Sequence, residues 1–154
     1  MKNILVMMLV VVMVLVLGIN AQAAKMEFKE FAVQGFSVDV PNGWLAAEVK
    51  SGNVFDFNSS DGAIVISRTG GDETITFLSA GSEGICSRTF ADMVAGRLGG
   101  IAPVEGVNGD FEFSYYRNGS KIDVRTRHIG HLGIVMESMN GFGKILSVLE
   151  TLSL

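Results

Sequence analysis

The residues of this chain whose types could do chemistry are few, and their spacing decides how much each can do. His128 and His131 stand at i, i+3 near an expected turn, where they could share a metal with Asp123 or Glu137. Two imidazoles are too few to close a structural zinc site, and strand alternation points side chains apart unless the turn brings them round. The plainer reading is a pair of polar side chains lining an exposed turn. Cys86 precedes an expected helix, whose N-terminus would make the thiol acidic. A single cysteine is more often a small buried hydrophobe, and burial is the expectation here. Being single, it makes no internal disulfide. A serine nucleophile needs a neighbouring base, and no Gly-x-Ser-x-Gly elbow occurs. Asp56, Asp61 and Asp72 lie in or beside turns, where aspartate bonds its own backbone. The Gly81 to Gly84 stretch lacks the lysine of a phosphate loop, and no Gly-x-Gly-x-x-Gly follows a strand. These readings assign no catalytic residue, cofactor or metal. They leave an aromatic interaction surface, drawn around Trp44, Tyr115 and Tyr116, although Trp44 alone suits a lid on a sheet edge better than a ligand platform.

Period and turn chemistry place these residues on elements. Phe36, Val38 and Val40 alternate with polar residues before Pro41-Asn42-Gly43, which closes a strand in a turn just ahead of Trp44. A strand region is expected over Val54 to Phe57. The runs Ala63 to Ser67 and Thr74 to Leu78 flank Thr69-Gly70-Gly71-Asp72 and form a hairpin. From Ser87 the spacing of Phe90, Val94 and Leu98 changes to a helical face, with Ser87 as expected N-cap and Gly99-Gly100 as the stop. Phe111, Phe113 and Tyr115 then alternate up to Asn118-Gly119, the strongest short hairpin signal. Ile122, Val124 and Thr126 lead away from it, with Asp123, Arg125 and Arg127 expected to face water. A last strand, Ile134 to Glu137, precedes a closing helix whose stripe is Phe142, Ile145, Leu146, Leu149 and Leu152, with Asn140 near its start. Strands, helix, meander and helix in that order predict an α+β sandwich, an antiparallel sheet of six to seven strands carrying two amphipathic helices.

Everything that folds is expected after residue 23. Lys2 precedes an unbroken apolar run from Ile4 to Leu17, about 14 residues against the roughly 20 that a spanning helix needs. Ala21 and Ala23 sit where a signal peptidase reads small residues, so residues 1–23 are expected to be a cleaved export signal and 24–154 one domain. Losing Lys2 leaves eleven basic residues against sixteen acidic ones, a formal net charge of −5. That charge repels phosphate backbones and anionic lipid, which disfavours nucleic acid and the membrane surface as partners. No stable membrane insertion is expected after cleavage.

The segment Phe36-Ser-Val-Asp-Val-Pro-Asn-Gly-Trp44 resembles the opening of the PsbP-like and DcrB-like superfamily, where a strand runs into a Pro-x-Gly-Trp turn. Thr89 to Gly100 is similar to its first helix with a glycine stop, and Ile145 to Leu149 to its closing helix. The resemblance implies a small exported binding or assembly-assisting protein and carries over no catalytic residue. DcrB-like members are commonly lipoproteins, and this chain has no cysteine directly after its apolar run. The expected function is therefore a non-catalytic periplasmic or secreted accessory protein with a protein or small-molecule partner in the cell envelope. An envelope interaction module and an uncharacterised hydrolase are the alternatives.

Overall fold

The computed structural model describes residues 23–29, 31–32, 35–49, 52–54, 57–59, 62–79 and 86–154. The apolar leader, Asp56, Asp61 and the Gly81 to Gly84 stretch lie outside them.

Among the described residues eleven strands and two α-helices form an α+β fold. A first hairpin joins β1 (Ala24–Phe28) to β2 (Phe36–Val40). The seven-stranded antiparallel sheet contains β3 (Trp44–Val49), β6 (Ala63–Arg68), β7 (Glu73–Ser79), β8 (Val104–Glu105), β9 (Phe111–Arg117), β10 (Ser120–Ile129) and β11 (Leu132–Ser138), in the order β3-β6-β7-β11-β10-β9-β8. Between β3 and β6, β4 (Gly52–Val54) pairs with β5 (Phe57–Ser59), so Val54 and Phe57, the ends of the expected single strand region, lie opposite each other on two paired strands. The β6–β7 hairpin and the β9–β10 hairpin stand where turn chemistry puts them. At the latter, Asn118 and Gly119 have φ of 52° and 80°, the left-handed pair that a two-residue connection requires.

Directly opposed residues of an antiparallel ladder share a face, so the register divides the sheet into two sides. Ile64, Ile66, Ile75, Phe77, Ile134 and Met136 face the β1–β2 hairpin and α2 (Gly143–Leu149), with Phe36 stacked on Phe77 at 4.7 Å. Leu78, Val135, Ile122, Val124, Phe113 and Tyr115 face α1 (Ser87–Leu98). Each side has its own core. Sixteen buried apolar residues make up the first and nine the second.

Several local expectations change. Cys86, not Ser87, caps α1: its Sγ accepts from the Thr89 amide at 3.4 Å, and Gly99 ends the helix in the left-handed region at φ 68°. The closing helix is only seven residues long, Asn140 does not cap it, and Leu152 lies beyond its end. Ile145, Val148 and Leu149 are its buried residues, while Leu146, Phe142 and Leu152 are partly buried against the same core. The chain continues straight from the Pro41 turn into β3, because the Trp44 amide donates to the Pro41 carbonyl at 3.1 Å and swings the indole inward.

Candidate functional site

The aromatic surface drawn from the sequence does not form. Trp44 is 9% exposed in the larger core, Tyr115 is 7% exposed in the smaller one, and Tyr116 is 73% exposed on the other face of β9. Trp44 sits on one edge strand and the tyrosines five strands away, roughly 24 Å at the usual spacing. Alternation separates Tyr115 from Tyr116, and sequence proximity could not show which of the two faces was covered.

The proposed metal partners are likewise dispersed. His128 lies on the α1 face of β10 and Asp123 on the opposite face, because they are an odd number of positions apart on one strand. Glu137 shares the face of His128 but opposes Val124, four positions along the ladder, about 13 Å away. Among the described residues no group of three His, Cys, Asp or Glu side chains is placed to hold a metal ion. Cys86 is exposed rather than buried, since a capping side chain at a helix start faces out of the first turn. Its bonds to Thr89, side chain first and then amide, lower its thiol from the ordinary value.

Two clusters do assemble. On the α1 face, Tyr115 donates its hydroxyl to Glu137 Oε1, and Arg117 Nη2 lies 3.8 Å from the same oxygen. Burial first, and then the bond to Glu137 and its charge, push the Tyr115 hydroxyl far above its usual range. The phenol therefore stays a donor to a buried carboxylate, and Arg117 supplies the opposing charge. Sequence reading had singled out both Tyr115 and Glu137, but for different roles.

The second cluster lies on the other face, where α2 and the β1–β2 hairpin cover only part of the sheet. Over β9 and β10 a groove of about 390 Å³ opens between the strands and the segment before α2. Ile101, Phe142 and Gly141 form its walls, and Ser114, Asp123, Glu112 and Arg125 contribute polar groups. Arg125 does not project freely into water as alternation alone suggested. Its Nη2 bonds Glu112 at 2.6 Å, its guanidinium lies 4.8 Å from the Phe142 ring centroid, and its side chain is 18% exposed. Ser138 fixes the wall by donating to the Gly141 carbonyl at 2.7 Å and accepting from the Asn140 amide at 3.1 Å. Arg127, the next charged position on that face, makes two 2.8 Å bonds to the buried carboxylate of Asp110. Asp123 alone of the three expected charges stays substantially open, with Lys121 Nζ at 2.9 Å. Ile101 and Tyr116, 64% and 73% exposed, stand on the connection and the strand that border this half of the sheet. The groove thus has a polar floor, part of it ion-paired, and apolar walls.

No family model and no curated protein matches the chain. A solved structure does: the solution structure of cyanobacterial PsbP (CyanoP) from Synechocystis sp. PCC 6803 aligns over 90% of this chain and 95% of its own, at 14% identity and a TM-score of 0.50. At that identity the likeness speaks for the backbone and for nothing the side chains do, and what it shows is that this chain has a PsbP-like α+β fold.

Proposed function

We propose that this chain is an exported, non-catalytic binding or accessory protein whose partner sits in the groove over β9 and β10. The observation that carries this reading is the groove itself, where Arg125 is pinned between Glu112 and Phe142 and the apolar walls stand ready-made. A preformed site binds without first being ordered, which preserves affinity. The titratable groups that are buried serve the fold: Glu73 bonds Arg68 at 3.1 Å, Asp110 holds Arg127, and Glu137 accepts from Tyr115.

Export is part of the proposal and rests on the leader's composition. Cleavage after Ala23 leaves β1, which begins at Ala24, whole. No described helix is long and apolar enough to cross a membrane. N-terminal sequencing of the exported product should begin at Ala24, and a start at Met1 would show a retained anchor. For the groove, a photo-crosslinker placed at Ile101 or Tyr116 in the exporting cell should capture a partner that the same probe at Leu45, exposed on the far edge strand, does not. Arg125→Glu should abolish that capture. Equal capture at all three positions, or capture indifferent to Arg125, would refute the assignment.

A further inference from the structure

We propose that His128 is an acid-sensitive latch for α1, whose protonation loosens the first turns of that helix from the sheet while the opposite layer stays closed. The imidazole lies on the α1 face of β10, its ring centroid 5.9 Å from that of Phe90, which is fully buried in the first turn of α1. Its Nε2 is buried and has no hydrogen-bond partner. In the neutral ring this costs one unmet polar atom. A proton added to the ring creates a charge in a site dried by burial and near the positive end of a helix, both of which oppose it.

Among the described residues, the carboxylates of the elements packed against it are already paired. From α1, Asp92 holds Arg88 at 3.1 Å, Arg88 itself lies 5.6 Å from the Phe111 ring centroid, and Cys86 is exposed at the cap. From the β9 side Asp110 is taken by Arg127. Across the ladder the opposed position on β11 is Gly133, and its own partner on β7 is Leu78. From the turn comes His131, whose charge adds to the desolvation that holds His128 below its ordinary value.

The sign follows from linkage. A histidine depressed in the folded state binds its proton more readily when released, so folded contacts are complete above about pH 6.5 and weaken as pH falls below it. The weakening should be local, because α1 buries only Phe90, Ala91, Val94 and Ala95 and two of these are alanines. Release would bare apolar side chains of β9 and β10 beneath it.

Amide hydrogen exchange, corrected for the intrinsic pH dependence and compared with the NMR titration of the His128 ring, tests this. Between pH 8 and 5 protection of residues 87–98 should fall, by up to about tenfold for each unit by which the His128 midpoint lies below the released value, while β2 and α2 keep theirs. In His128→Phe the fall should vanish, and in His131→Gln, where the folded midpoint rises toward the released one, it should shrink. Should His128→Phe fail to fold, a fall in the parent that sets in near pH 6.5 and levels off at the midpoint of the ring titration still decides. Protection of α1 that is flat with pH, a fall that persists in His128→Phe, an equal fall on both faces, or a ring titrating at its ordinary value would overturn the proposal.

Discussion

The two sides of the sheet are built differently. On the α2 side a two-stranded hairpin and a short helix close over isoleucines, phenylalanines and Met136, and the largest fully buried side chain there is Phe77. On the α1 side one helix covers a core about half as populous, and polar groups come with it: Tyr115 bonded to Glu137, and His128 against Phe90. Apolar burial scales with area, so the first side carries most of the stability, while the second holds groups whose contribution depends on pH. The difference teaches where the fold is anchored and where it has room to respond.

The comparison breaks most sharply at the two fully buried phenylalanines, one on each side. Phe77→Ala should lower the stability of the whole domain by about 3 to 5 kcal/mol in a denaturant melt. Phe90→Ala should cost about 3 kcal/mol or less and appear first as lost exchange protection in α1. Equal losses with equal cooperativity would mean that the layers unfold as one. Within the α2 layer, Ile145→Ala should cost about 2 to 5 kcal/mol and the partly buried Leu146→Ala about 1 kcal/mol.

Breaking the Asp110–Arg127 pair comes next. Asp110 is 1% exposed, and Asp110→Asn strands a partly covered guanidinium, at a cost of about 3 kcal/mol in the same melt.

Tyr115→Phe removes the phenol's bond to Glu137 and leaves the carboxylate to Arg117, for about 1 to 3 kcal/mol. The sign of its pH dependence is opposite to that of His128. A tyrosine raised in the folded state contributes stability that is complete below its unfolded value near 10 and is lost as pH climbs toward the folded one. Melts above pH 10 should therefore show a decline in the parent that Tyr115→Phe lacks. An identical alkaline decline would remove Tyr115 as its cause.

The smallest effect belongs to Cys86. Its thiol should react with iodoacetamide in the native protein, with a rate midpoint below the ordinary thiol value, and Cys86→Ser should leave Tm unchanged. A thiol that reacts only after denaturation would contradict its exposed place at the helix start.

Much of this architecture could be read from local rules. Alternation marked β2, β6, β7, β9, β10 and β11, Asn118-Gly119 marked the central hairpin, and Gly99 marked the end of α1, because each depends on a few neighbouring residues. β1 and β3 are harder to read: Ala24-Lys-Met-Glu-Phe28 alternates but is short and directly follows the apolar leader, and Trp44-Leu-Ala-Ala-Glu-Val49 alternates weakly and becomes a strand through its partner β6. Helix α2 was overextended because an apolar stripe continues past Leu149 into a segment that packs on the core without being helical.

By itself, then, the sequence determined the order of elements, the α+β class and the two-sidedness of each strand, all consequences of backbone period and turn chemistry. Only the tertiary structure decided which side each layer covers. A period of two divides side chains between faces without saying what lies over either, so Trp44 and Tyr115 went to different cores and Arg125 went under Phe142. Likewise Tyr115 met Glu137 across an intervening strand only because β10 pairs with both β9 and β11, a register set by contacts distant in sequence.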